Sequence, residues 1–388
     1  MEPDLESDKG VSALDGHSDA ITRLDVLNLF ITFLCGFTLV LSMTYVPLHA
    51  YALNASEIEI GFITAGYSLT YIVMPIVLGR MYDKRGSRTM ILCGTSILSV
   101  LYILYFFVSQ PLLFILFKAI EGIGFSFMWP SLMASLAGSL RKLKGYNMMW
   151  STGSIAAPFV GGVIAQEFML KDIFLMTASF MIVSFVLGLM LSGGVRKKAG
   201  QNDTQPVKAS GLNRKHFSLF LFPFIYGFTL LVVSTFFPIY SLVKGIGVIV
   251  AGYILTVSNF GRLLAFIAPA KIQRQFNNMN ALRLSILATG LIPALIIFQN
   301  EPYILYLEFF AIGALTGVAY ASMQKRILGI DEQRKGYYAG IQEAVIGVGF
   351  LVGPILGGIV ASSDLNYVFI LPLAFTLPIL IVSMVSSR

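Results

Sequence analysis

The feature that most constrains this chain is a series of apolar runs, most of them about 20 residues or longer, that recur from end to end. A helix of that length crosses the roughly 30 Å hydrocarbon core of a bilayer. Strands are excluded, because the runs are too long and do not alternate as membrane strands do. The sequence predicts an all-α membrane protein with twelve spans at 24–49, 57–82, 88–109, 111–139, 145–166, 172–194, 216–243, 248–271, 281–299, 302–328, 335–361 and 365–386.

Composition agrees with a membrane-embedded chain. Of 388 residues, 56% are hydrophobic and 12% are charged, whereas a soluble protein carries about twice that share of charge. The mean hydropathy is +0.79. The net charge of +7 does not indicate nucleic-acid binding, because the basic residues form short clusters between apolar runs. The 2 cysteines and 3 histidines are scattered, so we expect no disulfide framework, metal site or cofactor.

The basic clusters fall in every second connection between the apolar runs. The alternate connections carry only Lys171 and Lys244 as basic residues. Because basic loops stay in the cytoplasm, this bias predicts that both termini are cytoplasmic. Termini on the same side require an even number of spans, which agrees with twelve.

One long hydrophilic interruption divides the apolar runs into six and six. It is rich in glycine, polar and basic residues, as connecting segments are. The sequence predicts a disordered cytoplasmic tail at 1–22, a six-helix half at 23–194, a cytoplasmic linker at 195–215 and a second six-helix half at 216–388.

The second half repeats short motifs of the first. Cys35–Leu39 resembles Tyr226–Leu230, which lies 191 positions later, and Pro158–Ala165 resembles Pro354–Ala361, which lies 196 positions later. Parallel repeats predict two pseudo-symmetric six-helix bundles related by an axis along the membrane normal, with a substrate site between them near the midplane.

The connection after the second run reads Gly79-Arg-Met-Tyr-Asp83-Lys84-Arg-Gly86-Ser87-Arg88. This pattern resembles the signature cytoplasmic loop of the major facilitator superfamily. Its glycines and charged residues have the spacing of that motif, although Ser87 stands where a basic residue is usual. The resemblance implies the superfamily's fold and a loop that latches the two halves in an outward-facing conformation. The residues that match are Gly79, Asp83, Lys84, Gly86 and Arg88.

Spans five and eleven resemble the glycine–proline motif of proton antiporters in that superfamily. Small residues let helices approach closely and proline kinks a helix, so tight packing alone is the alternative interpretation. In span five Ala157 replaces a glycine of the motif, and span eleven is the closer copy. The residues are Gly153, Pro158, Gly161 and Gly162, with Gly349, Gly353, Pro354, Gly357 and Gly358 in span eleven.

Charged residues inside the spans are the candidates for proton coupling and substrate binding. A charge at mid-membrane costs at least ~2.5 kcal/mol, so it usually faces a cavity and carries function. Lys118 and Glu121 are three residues apart and can pair on one helix face, and a static ion pair is the alternative interpretation for them. Burial favours a neutral carboxyl group, so Glu121 and Glu343 are the predicted proton carriers. The full set is Lys118, Glu121, Asn259, Arg262, Glu308 and Glu343.

With Gly122, the pair in span four also resembles the superfamily's basic-x-x-Gln-Gly pattern, with lysine and glutamate in place of the usual arginine and glutamine. Trp129 and Trp150 lie near the predicted cytoplasmic ends of their spans, where interfacial aromatic belts occur. Tyrosines are candidates to line a cavity, namely Tyr45, Tyr67, Tyr226, Tyr253 and Tyr320.

These features favour a secondary transporter that moves a small organic solute by alternating access, with proton-coupled export as the first hypothesis. The chain has no GxxxxGK[ST] loop and so does not hydrolyse ATP itself. A uniporter or proton symporter that imports a sugar or organic anion is the alternative on the same fold. A membrane-embedded enzyme is remote, because neither HExxH nor GxSxG occurs. We expect a monomer in the plasma membrane, with protons, lipid and a small-molecule substrate as its partners.

Overall fold

The computed structural model describes residues 21–136, 140–191, 214–268, 278–299, 301–330 and 335–385, which form twelve α-helices. Short 3-10 helices at Ile296–Phe298 and Leu365–Ile370 follow the ninth helix and precede the twelfth. The helices are α1 (Arg23–Ala52), α2 (Glu57–Tyr71), α3 (Met74–Phe107), α4 (Leu113–Leu136), α5 (Leu140–Glu167), α6 (Asp172–Leu189), α7 (Arg214–Val243), α8 (Val248–Ile267), α9 (Met279–Leu295), α10 (Pro302–Leu328), α11 (Lys335–Ala361) and α12 (Leu371–Val385).

Most of the predicted tail and linker lie outside the described residues. The first helix begins at Arg23, after Thr22 caps it by accepting a hydrogen bond from the backbone N–H of Asp25. The seventh helix begins at Arg214, two residues before the predicted start of the second half. The division into 1–22, 23–194, 195–215 and 216–388 remains a prediction.

Eleven helical stretches are long and apolar enough to span a membrane, and the second predicted span is missing from that set because its helix is broken. α2 ends at Tyr71, and Ile72 and Val73 form a turn before α3 begins at Met74. Pro75 follows in the first turn of α3, where a missing backbone N–H is tolerated. α2 and the first part of α3 together make the second span, so the prediction of an all-helical chain with twelve helices is confirmed.

The predicted loop after the second span is shorter than expected. Helical backbone continues past Asp83 and Lys84, so these residues lie on α3 and not in a loop. The chain reverses at Gly86, whose φ of 76° lies in the left-handed region that glycine tolerates. The remainder of α3 is the third span.

The helices pack as two bundles with the same internal arrangement. In the first half α1 contacts α5 and α6, α2 contacts α4, and α3 contacts α4 and α6. In the second half α7 contacts α11 and α12, α8 contacts α10, and α9 contacts α10 and α12. The sequence repeat therefore corresponds to a structural repeat in which each helix has a partner six helices later.

Glycines of the two glycine–proline motifs occupy matching positions within each half. Gly153 of α5 lies against the backbone of Phe33 and Phe37 in α1, where a Cβ would collide. Gly349 of α11 lies in the same way against the backbone of α7. About two turns further along each helix, Gly161 faces the ring of Tyr45 and Gly357 faces the ring of Phe236.

Other glycines of the same motifs join the two halves. Gly162 of α5 lies against Ile249 and Gly252 of α8, and Gly358 of α11 lies against Glu57 and Ile58 of α2. The carbonyl oxygens of the two motif prolines occupy the space that a Cβ would need at Gly252 and at Gly61. We call this set the far gate, because it lies on the side of the molecule opposite the start of α1 and the end of α12. It comprises Gly61, Pro158, Gly162, Gly252, Pro354 and Gly358.

Candidate functional site

Glu343 lies about two turns from the start of α11, and its side chain is exposed. The hydroxyl of Tyr320 in α10 donates a hydrogen bond to its Oε1 at 3.0 Å. The carboxylate also interacts electrostatically with Tyr71 of α2, Tyr146 of α5 and Tyr226 of α7. Because these tyrosines come from both halves, Glu343 faces the space between the two bundles and not the lipid.

Aromatic rings line this space. The rings of Tyr226 and Tyr320 are 5.2 Å apart, and the ring of Phe266 meets Tyr320 edge-on at 5.9 Å. Such rings offer apolar faces with negative potential to an organic ligand. We define the central site by Tyr71, Tyr146, Tyr226, Arg262, Tyr320 and Glu343.

Arg262 is the basic member of the central site. Its side chain in α8 is 8% exposed, and it interacts electrostatically with Tyr226. Its Nε has no hydrogen-bond partner among the described residues. A buried guanidinium nitrogen without a partner is costly, so this group is available to bind an anionic or carbonyl oxygen.

The predicted neighbours Asn259 and Arg262 share one crevice of about 10 Å³, room for roughly one water molecule. Trp150 and Ser154 of α5 line its other wall. The side-chain amide of Asn259 donates a hydrogen bond to the carbonyl oxygen of Ser154 at 3.1 Å. This bond ties the two halves together beside the central site.

Lys118 and Glu121 form an ion pair with both side chains 0% exposed, and Nζ lies 3.1 Å from Oε1. Lys118 also donates to the hydroxyl of Ser42 at 2.8 Å, and that hydroxyl donates to Oε2 of Glu121 at 2.8 Å. The hydroxyl of Tyr105 donates to the same oxygen at 3.3 Å. All four residues belong to the first half, so the pair is sealed and hydrogen-bonded in this conformation, as a static ion pair would be.

Glu308 lies apart from the other candidates. It is half-buried in α10, six residues from the end at Pro302 on the far side, and it interacts electrostatically with Tyr240. Its Oε2 has no hydrogen-bond partner among the described residues. Tyr320 lies 12 positions further along the same helix, about 18 Å away, so Glu308 is not part of the central site.

The residues of the predicted latch are described only in part. Gly79, Asp83 and Lys84 lie on the helical backbone of α3. Their side-chain contacts are not among those that the structure describes. The guanidinium of Arg88 donates to the carbonyl oxygen of Leu189 at the end of α6, at 3.0 Å. That bond is made within the first half, and the latch between halves remains a prediction.

The expectation of an interfacial tryptophan belt is wrong. Trp129 is 7% exposed and stacks on Phe125, and Trp150 is half-buried in the crevice beside Arg262.

Of the candidate tyrosines, Tyr226 and Tyr320 line the central site, whereas Tyr45 and Tyr67 are buried and Tyr253 stacks on Phe159. Sequence reasoning missed Ser42, Tyr71, Tyr105 and Tyr146, although Tyr71 repeats Tyr67 at a spacing of four residues on one helix face.

Comparison with known proteins identifies the family. Residues 29–328 match the family model described as Major Facilitator Superfamily. The chain belongs to the Major Facilitator Superfamily. This membership, predicted from the loop and helix motifs, makes the protein a multi-pass integral membrane transporter of a small-molecule substrate and not an enzyme.

Two relatives cover most of this Major Facilitator Superfamily transporter. It is 25% identical over 363 residues to "Multidrug resistance protein 1" of Bacillus subtilis (strain 168), covering 88% of this chain and 90% of the relative. It is 22% identical over 347 residues to "Quinolone resistance protein NorA" of Staphylococcus aureus (strain COL), covering 85% and 87%.

Solved structures share the transporter's fold. The nucleoside transporter NupG superposes with a TM-score of 0.80 at 16% identity, over 95% of this chain and 100% of that one. A bacterial homologue of the human lysosomal transporter Spinster, in an inward-facing and occupied conformation, superposes with a TM-score of 0.73 at 13% identity, over 94% and 96%. The prediction of the superfamily's fold is confirmed.

Proposed function

We propose that this transporter exports small organic molecules in exchange for protons, by alternating access. The observation that carries the proposal is the position of Glu343, an intramembrane carboxylate that faces both halves and is exposed to the space between them. A charge in such a position is usually retained for function. Glu343 can bind a proton and a cationic or hydrogen-bonding substrate at the same place, so the two compete.

The far gate supplies the second element of the mechanism. It joins the halves on one side, while Glu343 lies 15 residues from Gly358 along α11, about 22 Å toward the opposite side. The central site is therefore closed to the far side and reached from the side of the chain ends. Opening the far gate releases the substrate, and a ligand shifts that equilibrium only through its different affinity for the two states.

The basic residues support an orientation of the transporter in the membrane. Their clusters support a cytoplasmic location for the chain ends, in the plasma membrane. In the export that we propose, a substrate enters the central site from the cytoplasm and leaves on the outside. The glycine–proline motifs and the relatives named for multidrug and quinolone resistance support export, and we propose that the monomer is the transporting unit.

A proton-flux measurement tests this function. Purified protein is reconstituted into proteoliposomes that contain pyranine, a pH-sensitive dye, and ethidium, benzoate and glucose are added in turn under an imposed pH gradient. We expect ethidium to trigger proton movement in the opposite direction. Glu343→Gln should abolish that movement, whereas Glu167→Gln, the same change at an exposed position at the end of α5, should leave it intact. Ethidium transport without proton movement would contradict the proposal.

Import of an organic anion is the second candidate function, and the unpartnered Nε of Arg262 favours it. A guanidinium binds a carboxylate through charge-assisted hydrogen bonds. If this function is correct, benzoate rather than ethidium drives a dye response faster than that of protein-free liposomes, which benzoic acid enters unaided, and protons move in the same direction as benzoate. Arg262→Gln should then remove the response.

A further inference from the structure

Two stacked tyrosines connect the central site to the sealed ion pair. The rings of Tyr67 and Tyr71 in α2 have centroids 5.0 Å apart and planes inclined by 20°. Tyr71, a member of the central site, is half-buried, whereas Tyr67 is 2% exposed. The stack therefore runs from the space between the halves into the core of the first half.

One end of the stack meets the second half. Tyr71 interacts electrostatically with Glu343 of α11. The next residue, Ile72, lies against Gly347, one turn beyond Glu343 on the same helix. This end of α2 is therefore in contact with the part of α11 that carries the exposed carboxylate.

The other end of the stack is fixed beside the ion pair. Tyr67 interacts electrostatically with Glu121, and its carbonyl oxygen fills the space beside Gly122 of α4. The hydroxyl of Thr70 donates to the carbonyl oxygen of Ala119 at 2.7 Å. α2 and α4 are thus held in backbone contact at the turn that carries Glu121.

The helix that carries the stack ends where it meets the second half. α2 stops at Tyr71, and the turn at Ile72 and Val73 separates it from α3. Breaks of this kind absorb backbone rotation when domains move. This break comes directly after Tyr71, whereas the contacts between α2 and α4 lie before it, at Tyr67 and Thr70.

We propose that Tyr67 and Tyr71 are positioning residues that link the charge of Glu343 in one half to the Lys118–Glu121 pair in the other. The inference rests on the proposed function, in which the charge of Glu343 changes during transport. A loss of that charge reorients the Tyr71 hydroxyl, the stacked ring of Tyr67 follows, and the surroundings of Glu121 change. Neither tyrosine gives up its proton.

The other charged and titratable groups lie around the two ends of the tyrosine stack. Glu343 faces Tyr146 of α5, Tyr226 of α7 and Tyr320 of α10, with Arg262 beside Tyr226. Glu121 faces Lys118 on its own helix, with Tyr102 and Tyr105 of α3. The two α2 tyrosines divide the carboxylates between them, since Tyr71 interacts with Glu343 and Tyr67 with Glu121.

An infrared double-mutant cycle on the purified full chain tests the link without any substrate. The carboxylate band of Glu121 is identified by its displacement in Glu121→Asp, which keeps the acidic group. The cycle then compares that band with and without Glu343→Gln, first in the wild-type background and then in Tyr71→Phe and Tyr67→Phe. Phenylalanine keeps the stacked ring and removes only the hydroxyl group.

We expect Glu343→Gln to shift the Glu121 band in the wild-type background, and either phenylalanine substitution to reduce that shift by more than half. Tyr253→Phe is the control, because Tyr253 stacks on Phe159 at 5.2 Å in α5, away from both carboxylates. A shift that persists in both Tyr71→Phe and Tyr67→Phe would overturn the link, and so would its absence in the wild-type background. Glu343→Gln removes the charge of residue 343 directly. The infrared result therefore tests the link even if the transporter proves not to be coupled to protons.

Discussion

At the scale of single residues, Glu121 and Glu343 look alike in the sequence and lie in opposite surroundings. Both are carboxylates inside predicted spans, and the sequence could predict that each needs a partner. It could also predict the pairing with Lys118, because the two are one helical turn apart. It could not predict that Ser42 seals this pair, since that contact joins residues 79 positions apart.

The ion pair leads to a prediction about stability. Lys118→Met or Glu121→Gln alone leaves one buried partner unsatisfied, and breaking a buried pair in this way costs about 3–5 kcal/mol. We expect each single substitution to lower the apparent Tm in detergent, and the double substitution Lys118→Met with Glu121→Met to recover much of the loss. Measuring thermal unfolding of the three variants checks this, and a double variant less stable than both singles would contradict it.

Transport by Glu121→Gln distinguishes a structural role of Glu121 from a proton-carrying role. If Glu121 is a carrier, Glu121→Gln abolishes proton movement in proteoliposomes even when the protein is folded. If the pair is only structural, proton-coupled transport survives once stability is accounted for. Full coupled transport by Glu121→Gln would remove Glu121 from the predicted carriers and leave Glu343.

At the scale of elements, the largest departure from the sequence-based expectation is the broken second span. The apolar run at 57–82 predicts one uninterrupted helix, yet the helix stops at Tyr71. Pro75 was the local signal, because a proline has no backbone N–H to donate to the carbonyl oxygen four residues earlier, here that of Tyr71. Hydropathy alone does not reveal the break, because Ile72 and Val73 are themselves apolar.

The far gate leads to a prediction about conformation. Gly61→Val or Gly252→Val places a side chain against the carbonyl of Pro354 or Pro158, so the halves must separate there. We expect the distance between spin labels at Ser56 and Ser362 to lengthen, measured by pulsed electron resonance after replacement of Cys35 and Cys93. Gly188→Ala is the control, because Gly188 meets only side chains of its own half. An unchanged distance in both valine variants would contradict the assignment of a gate.

Asp83, which lies three residues before the turn at Gly86, leads to a prediction about the rate of transport. If Asp83 latches the halves in the outward-facing state, Asp83→Asn slows transport several-fold while substrate affinity stays the same. Initial rates in proteoliposomes and equilibrium binding of the same probe measure the two effects separately. Asp172→Asn, at the start of α6 on the far side, is the matched control, and unaltered turnover in Asp83→Asn would count against the latch.

At the scale of the whole molecule, the repeat was readable from the sequence because the contacts it encodes are local to each half. Gly153 and Gly349 lie in matching contacts with α1 and α7, and their spacing of 196 positions is visible without a structure. The sequence could not predict which side of the transporter is closed, because the same residues form the gate in its closed and its open state. Which side is closed depends on a small free-energy difference between two packings of the same halves.

The central claim is that Glu343 couples proton movement to substrate movement, and uphill transport tests it most directly. Proteoliposomes with an acidic lumen are placed in alkaline buffer with equal ethidium on both sides. We expect the wild-type protein to concentrate ethidium in the lumen as protons leave. Glu343→Gln should only equilibrate ethidium, and Glu167→Gln should behave as the wild type. Accumulation by Glu343→Gln equal to that of the wild type would contradict the account, since the proton would then be carried elsewhere.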